Sequence, residues 1–335
     1  MNNKFPIIDL SKPKEDASHN LKVAASETGL FYISNHGIDQ NLILEVIDLA
    51  KEFFSLPLEN KMLNYIGTSP SHSGYVPTTE KGIYGDEAED RRYEAFDLSN
   101  EGGSLYDYKK GNIFSGSNSW PYIPKFKEKV SLYKSALESL SHYICELIEI
   151  SLSLPEGFFS SKMKQPMSQL RLIHYLANNK KPSINNVNMG AHTDYELFTI
   201  LHQQSKGIQS QILDGSWVDI PIIEGAFIVN VGDLLEVISG GVYKSNLHRV
   251  INTNAERFSI PFFASLDFDV IVQPVTNRES KYNSIHAGRH VIGQIIRDFP
   301  YLMKKVEKGE LPFSHKDLVI NPYENTVSHT LKEAI

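Results

Sequence analysis

Residues 225–263 read GAFIVNVGDLLEVISGGVYKSNLHRVINTNAERFSIPFF. Three runs of branched and aromatic residues, AFIVNVG, LHRVIN and RFSIPFF, are set apart by Gly, Asn and Asp, the residues that end strands and make turns. The same texture begins near Gln169 and continues through LRLIHYL (170–176), LFTILHQ (197–203), IQSQIL (208–213), WVDIP (217–221) and a last long run from Arg257 to Val275. Strand-like runs at intervals of about 8 to 12 residues predict an antiparallel sandwich or barrel. Glycine pairs such as that in VISGGVY read as turns, because no helix signature follows them to cradle a phosphate.

Upstream of this β-rich half, the chain reads as mainly helical around a short strand entry. In FPIIDL (5–10), alternating Phe5, Ile7 and Asp9 suit a half-buried strand, and GLFYISNHGI (29–38) is a second β-rich run. Asp39 is placed to cap a helix carrying Leu42, Val46, Ala50 and Phe53 on one side, with Pro57 as its end. After a polar loop (68–98), Val130, Tyr133, Leu137, Leu140, Ile144 and Leu147 recur at spacings of three and four, the apolar stripe of a long helix. IHAGRHVIGQIIRDFPYL (285–302) predicts one more helix, stopped at Pro300 before a polar extension. No linker or repeat divides the chain, so one domain is expected over 1–335: a helical region (1–165), a β core (166–280), and a C-terminal helix and tail (281–335).

With 41% hydrophobic and 22% charged residues in 335, the composition is that of a globular protein with a large core. The net charge of −7 is spread without blocks of Lys or Arg, which argues against nucleic acid and favours small-molecule partners. The N-terminus lacks an apolar region after a basic start, and nowhere do 18 apolar residues run together; no membrane partner and a cytoplasmic location are expected. A monomer or weak homo-oligomer is expected. Cys145, the single cysteine, can form no intramolecular disulfide and reads as a buried structural residue.

His192 and Asp194 in NMGAHTDYELFTI (188–200) stand two apart, as do His315 and Asp317. Two such triplets mean little, since roughly 1.4 are expected by chance at this composition. The second lies near the C-terminus with only His329 downstream and reads as a solvated loop. The first leads into a strand, where residues two apart project to one side, and YKSNLHRVIN supplies His248 as a third ligand. Two imidazoles and a carboxylate cover one face of an octahedron and leave the opposite positions open. That arrangement suits Fe(II) that must also hold a cosubstrate and O2, whereas a single cysteine excludes a closed thiolate zinc site. Arg257 and Ser259, again two apart, can grip a carboxylate, with Tyr175 able to add a third bond. A metal at one end and an anion grip at the other leave room for a small dicarboxylic oxoacid. His174 would face away from Tyr175, and Arg91, Arg92, Glu94 and Asp97 are divided between substrate contact and surface roles.

Across nearly its whole length the chain resembles the 2-oxoglutarate- and Fe(II)-dependent dioxygenases of the isopenicillin N synthase-like branch. FPIIDL and GLFYISNHGI are similar to that branch's N-terminal signature, SGYVP (73–77) and YEAFDL (93–98) to its middle loop, and GAHTDYELFTIL (190–201) to its first ligand motif. Residues 225–263 resemble its C-terminal core, with the distal His and the R-x-S motif. The resemblance implies a mainly β core, a double-stranded β-helix or jelly roll, flanked by helices. It implies that His192, Asp194 and His248 hold Fe(II) and that Arg257 and Ser259, assisted by Tyr175, hold the distal carboxylate of 2-oxoglutarate. Substrate would then meet Tyr75, Arg92 and Phe263. The family's R-x-N-x-Y-P is altered here, with Ile173 and Leu176 at the Asn and Pro positions, while Asp194 argues against the halogenase variants. The implied activity couples decarboxylation of 2-oxoglutarate to succinate and CO2 with oxidation of a small metabolite by O2, hydroxylation by default and desaturation, cyclisation or fragmentation otherwise. The rival readings are a relative that dispenses with 2-oxoglutarate, like isopenicillin N synthase and the aminocyclopropane carboxylate oxidases; an ethylene-forming enzyme, to which GAHTDY and SGYV are also similar; and a catalytically silent jelly roll that binds a ligand.

Overall fold

Side chains that alternate between two environments make strands of the segments after Gln169, and the computed structural model assembles these into two sheets around a common cavity. It describes residues 5–80, 92–177, 187–275 and 282–318. In chain order the strands are β1 (Ile7–Asp9), β2 (Leu30–Ser34), β3 (Gly74–Val76), β4 (Tyr93–Leu98), β5 (Gln169–Tyr175), β6 (Val187–His192) and β7 (Phe198–Gln203). They continue as β8 (Ile208–Gln211), β9 (Trp217–Asp219), β10 (Ala226–Val231), β11 (His248–Ile251), β12 (Arg257–Ala264), β13 (Ile271–Val272) and β14 (Ile285–His286). The major sheet runs β1-β2-β10-β7-β12-β5-β4-β3 and the minor sheet β6-β11-β8-β9, while β13 and β14 form a separate pair. Every pairing between these strands is antiparallel except β1 with β2. The core is therefore a jelly roll.

The first 165 residues contribute strands as well as helices: β1 to β4 belong to the major sheet and extend both of its edges. β1 and β2 lie within the runs FPIIDL and GLFYISNHGI, whereas β3 and β4 fall inside the stretch read as a polar loop, and β4 takes its place there beside β5, far away in sequence. Within FPIIDL the phase also differs. Ile8 is fully buried beside Ile33, whereas Ile7 is 46% exposed.

Among the described residues the α-helices are α1 (Lys14–Glu27), α2 (Gln40–Ser55), α3 (Leu58–Met62), α4 (Leu105–Lys109), α5 (Phe126–Leu152), α6 (Asp233–Ile238), α7 (Ala287–Asp298), α8 (Pro300–Glu307) and α9 (His315–Leu318). The stripe from Val130 to Leu147 on α5 is buried against α1, α2 and the sheet, and Cys145 lies with it, where burial pushes its thiol pKa up. α6 escapes a periodicity reading because all six of its residues, Asp233 and Glu236 included, are buried, so it has no solvent-exposed face. Pro300 does not end the C-terminal helical segment. It is the first residue of α8, where its missing N–H is no loss, and the joint falls at Phe299. No described helix is long and apolar enough to cross a membrane.

α2 begins as its sequence suggests. Asp39 accepts a hydrogen bond from the Asn41 backbone N–H at 2.9 Å, and Leu42, Val46, Ala50 and Phe53 are buried behind it. Asp39→Ala should therefore cost about 1 kcal/mol. The expected reading is a lower urea midpoint with an unchanged slope; an unaltered midpoint would remove the cap from the account.

Candidate active site

Gln169, Arg171, Ile173 and Tyr175 occupy alternate positions on β5, and Ser259, Pro261 and Phe263 do so on β12; all seven line the cavity. Antiparallel register sets Arg257 beside Tyr175, Ser259 beside Ile173 and Phe263 beside Gln169. The opposite wall comes from the minor sheet through Met189, His192, His248 and Val250, and Ile295, Asp298 and Phe299 contribute from the C-terminal segment.

His192 ends β6 and His248 begins β11, directly paired across the minor sheet with ring centroids 4.4 Å apart. Asp194 lies beyond the end of β6, so it reaches the histidines through a turn rather than by the strand alternation expected from its spacing. Its position is fixed by Thr199, whose hydroxyl donates to Oδ2 at 2.7 Å, while Oδ1 stands 3.7 Å from His248 Nε2. Each imidazole turns Nδ1 to a backbone carbonyl of its own segment, His192 to Gly190 at 2.8 Å and His248 to Asn246 at 3.1 Å. A carbonyl only accepts, so the proton is on Nδ1 and the lone pair on Nε2, the tautomer a metal requires. Burial, and then the neighbouring His248, push the His192 pKa down to about 4, which keeps the ring neutral. One ligand atom from each of the three residues lies within 4.8 Å of the others, and among the described residues no other His/Cys/Asp/Glu group is so arranged. The donor set fits Fe(II) with open positions.

Arg257, 1% exposed, lies flat over the Tyr175 ring with its guanidinium carbon 3.7 Å from the ring centre. Its Nη1 donates to Ser259 Oγ at 3.2 Å, yet Nε and Nη2 have no acceptor and no described carboxylate pairs with the charge. A buried cation with unused donors is costly unless a ligand completes it. An anion that reaches past Ser259 and Tyr175, both on the cavity wall, would do so. Burial raises the Tyr175 pKa, so its phenol keeps a proton to donate. Gly207 carries no signal of its role in the sequence. A Cβ there would lie 2.8–3.0 Å from the guanidinium, so only glycine, at φ +145°, leaves Arg257 its place.

The substrate positions expected from the sequence differ in where the structure places them. Phe263 lines the cavity, but Tyr75 and Arg92 are not among its described lining residues. Tyr75 is buried, with its hydroxyl donating to Glu94 and its ring against Phe53. Arg92 precedes β4, and strand alternation turns the next residue, Tyr93, to the cavity instead. Glu94 also accepts from Lys61 at 2.6 Å and meets His174 at 2.9 Å; His174 is stacked on Phe258, on the face away from Tyr175. Asp97 holds Arg171 through two bonds of 2.6 and 2.7 Å. Asp317 accepts from Ser314 at the start of α9 and is in no metal cluster among the described residues, while Arg91 and His329 lie outside them.

Several lining residues escape the sequence reading: Arg171, Glu196, Asp298, His72 and Phe299. Arg171 could have been found, since it shares the two-residue period of Tyr175. Glu196 is buried, and burial followed by the charge of Asp194 pushes its carboxyl up to about 8. His72 and Asp298 come from a loop and a helix end and carry no local signal.

Residues 167–265 match the model of the 2OG-Fe(II) oxygenase superfamily, and residues 5–122 that of the non-haem dioxygenase in morphine synthesis N-terminal region. Homoarginine-6-hydroxylase 2-ODD-C23 of Glycine max is 31% identical over 327 residues, covering 88% of this chain and 97% of the relative. The 1-aminocyclopropane-1-carboxylate oxidase of Dictyostelium discoideum is 32% identical over 366 residues, 92% of this chain and 98% of the relative. A full-length Neurospora crassa protein, solved in complex with alpha-KG and thymine, shares the fold with a TM-score of 0.76 at 23% identity, over 89% of this chain and 99% of that one. The chain belongs to the 2-oxoglutarate- and Fe(II)-dependent oxygenase superfamily and is an enzyme that couples 2-oxoglutarate decarboxylation to oxidation of a small molecule, with Fe(II) and O2.

Proposed function

We propose that the enzyme hydroxylates a cationic, amino-acid-like metabolite, with His192, Asp194 and His248 holding Fe(II) and Arg257, Ser259 and Tyr175 holding the distal carboxylate of 2-oxoglutarate. The carrying observation is the carboxylate of Asp298 on the cavity wall, 3.2 Å from the Tyr195 hydroxyl. Formal charges in the loaded cavity cancel in pairs: Fe(II) with 2-oxoglutarate, Asp194 with Arg257, and Arg171 with Asp97. Asp298 places a carboxylate on the cavity wall, a group that can meet a positively charged part of a substrate. The name of the Glycine max relative, a homoarginine hydroxylase, supports the same class of compound. The middle loop and the R-x-S motif support assignment to the isopenicillin N synthase-like branch.

Bound Fe(II) and 2-oxoglutarate supply the O2 activation that breaks an unactivated C–H bond, with succinate and CO2 as co-products. The chain's own part is positioning and dryness. Thr199 orients the Asp194 carboxylate, and Arg257 with Ser259 fixes the far end of the cosubstrate. Tyr93, Phe263 and Phe299 wall the cavity with aromatic surface that excludes water from the reacting centre.

Under anaerobic Fe(II), addition of 2-oxoglutarate should produce a visible charge-transfer band. Arg257→Leu should raise the 2-oxoglutarate Kd by about tenfold or more and leave iron binding intact, Gly207→Ala should shift it in the same direction, and His248→Ala should abolish both. Unimpaired binding in these variants, or no band in the wild type, would refute the site or favour a 2-oxoglutarate-independent oxidase.

L-Homoarginine should raise succinate release above the uncoupled rate, with hydroxylated amino acid as the other product. Asp298→Asn should raise the KM for L-homoarginine about tenfold or more without altering the KM for 2-oxoglutarate. Equal KM values would remove Asp298 from substrate binding; ethylene in the headspace would replace hydroxylation as the outcome.

A further inference from the structure

His72 sits in the loop before β3, 2% exposed, at a backbone φ of 46° in the left-handed region. Such a conformation is unfavourable for a residue with a Cβ and is kept where the surroundings over-determine it. The ring is held edge-on by Phe299, with centroids 4.7 Å apart, and by Phe114 at 5.7 Å, and it forms part of the cavity wall. Nδ1 is hydrogen bonded to the Tyr301 hydroxyl of α8. Nε2 is buried and has no hydrogen-bond partner among the described residues.

The tautomer follows from that pairing. Burial raises the Tyr301 pKa well above its ordinary value, so the phenol keeps its proton. That buried O–H has no other hydrogen-bond acceptor among the described residues, so we assign it as the donor to His72 Nδ1. Burial, with the charges of Arg171 and Lys305, lowers the His72 pKa well below its ordinary value, so the neutral ring carries its single proton on Nε2. The result is a buried N–H donor without an acceptor among the described residues, an arrangement that is unfavourable unless a ligand supplies the oxygen.

Arg171 stands in the same wall. Asp97, fully buried, takes Nε and Nη2 and locks the guanidinium plane, leaving Nη1 without a bond to any described residue. We infer that His72 Nε2–H and Arg171 Nη1–H together hold the carboxylate of the substrate, making His72 a substrate-positioning residue that selects acids over the corresponding amines. With Asp298 on the same wall, an α-amino acid head would meet donors for its carboxylate and an acid for its ammonium, leaving its side chain to extend toward the metal ligands. This assignment rests on the amino-acid reading above.

The test titrates L-homoarginine and its decarboxylated analogue, 5-aminopentylguanidine, into anaerobic enzyme loaded with Fe(II) and 2-oxoglutarate, following perturbation of the visible band. In the wild type the amino acid should bind about a hundredfold more tightly than the amine, the effect of two hydrogen bonds to a carboxylate. His72→Phe should cut that ratio about tenfold, and His72→Gln, which keeps an N–H, should largely restore it. An unchanged ratio in His72→Phe, with normal 2-oxoglutarate affinity, would overturn the assignment and leave Nε2 facing water alone. Failure of both compounds to bind wild type would instead overturn the amino-acid reading itself. If His72→Phe does not hold 2-oxoglutarate, Tyr301→Phe gives the second measurement: a severalfold smaller ratio supports the fixed tautomer, and no change overturns it.

Discussion

The site depends first on the register of β12 between β5 and β7. Because side chains alternate, a slip of one residue would turn Arg257, Ser259 and Phe263 away from the cavity together. Both neighbours specify the alignment: Ser259 stands beside Ile173 on one side and Gln203 on the other, and Phe263 beside Gln169 and Thr199. Phe258, Ile260 and Phe262, at the intervening positions, are buried, so a slip would also exchange an apolar set for a charged one. Pro261 has no N–H to give, and the pairs between β12 and β5 skip from Ser259 to Phe262, at the level of Arg171. The ladder is thus interrupted where the wall carries its second guanidinium.

What is legible in the sequence is what lies close together in it. His192 with Asp194, and Arg257 with Ser259, are pairs whose spacing carries geometry, and the stripe on α5 or the cap at Asp39 needs only one turn of chain to declare itself. Asp194 shows the limit even there, since a turn rather than a strand brings it to the histidines. A motif such as those around Tyr75 and Arg92 names a neighbourhood without saying which face of a strand looks inward. Their neighbours Tyr93 and His72 line the cavity, while Tyr75 is taken up by Glu94. The strands β3 and β4 and the helix α8 are hidden for a different reason: short segments draw their stability from partners distant in sequence, and α6, buried all round, has no exposed face to give a period.

Unused donors mark both ends of the cavity. Arg257 keeps two guanidinium nitrogens without acceptors and His72 one imidazole nitrogen, each inside the protein and each at a cost to the unliganded fold. Such groups are tolerated where binding returns the energy, so cosubstrate and substrate stabilise the folded state in proportion to RT ln(1 + [L]/Kd). Ile173 sharpens this division of labour. It stands beside Ser259 and lines the cavity where the family often has Asn, so in the proposed site the polar grip on the cosubstrate would fall more heavily on Tyr175, Ser259 and Arg257.

The two ends are built from different kinds of structure, and that difference separates reaction from specificity. Metal ligands and the arginine grip sit on or just past strands of the two sheets, where register fixes them and change in one residue disturbs many. The far wall is assembled from the loop carrying His72 and the joint between α7 and α8, tied by the bond from Tyr301 to His72. Asp298 and Phe299 lie at that joint, next to the proline that starts α8. Substitutions there can alter which molecule is held while β5, β7 and β12 keep their alignment. An unaltered reaction centre is therefore compatible with a different substrate, and the choice of substrate is to be sought in the contact between the His72 loop and the C-terminal helices.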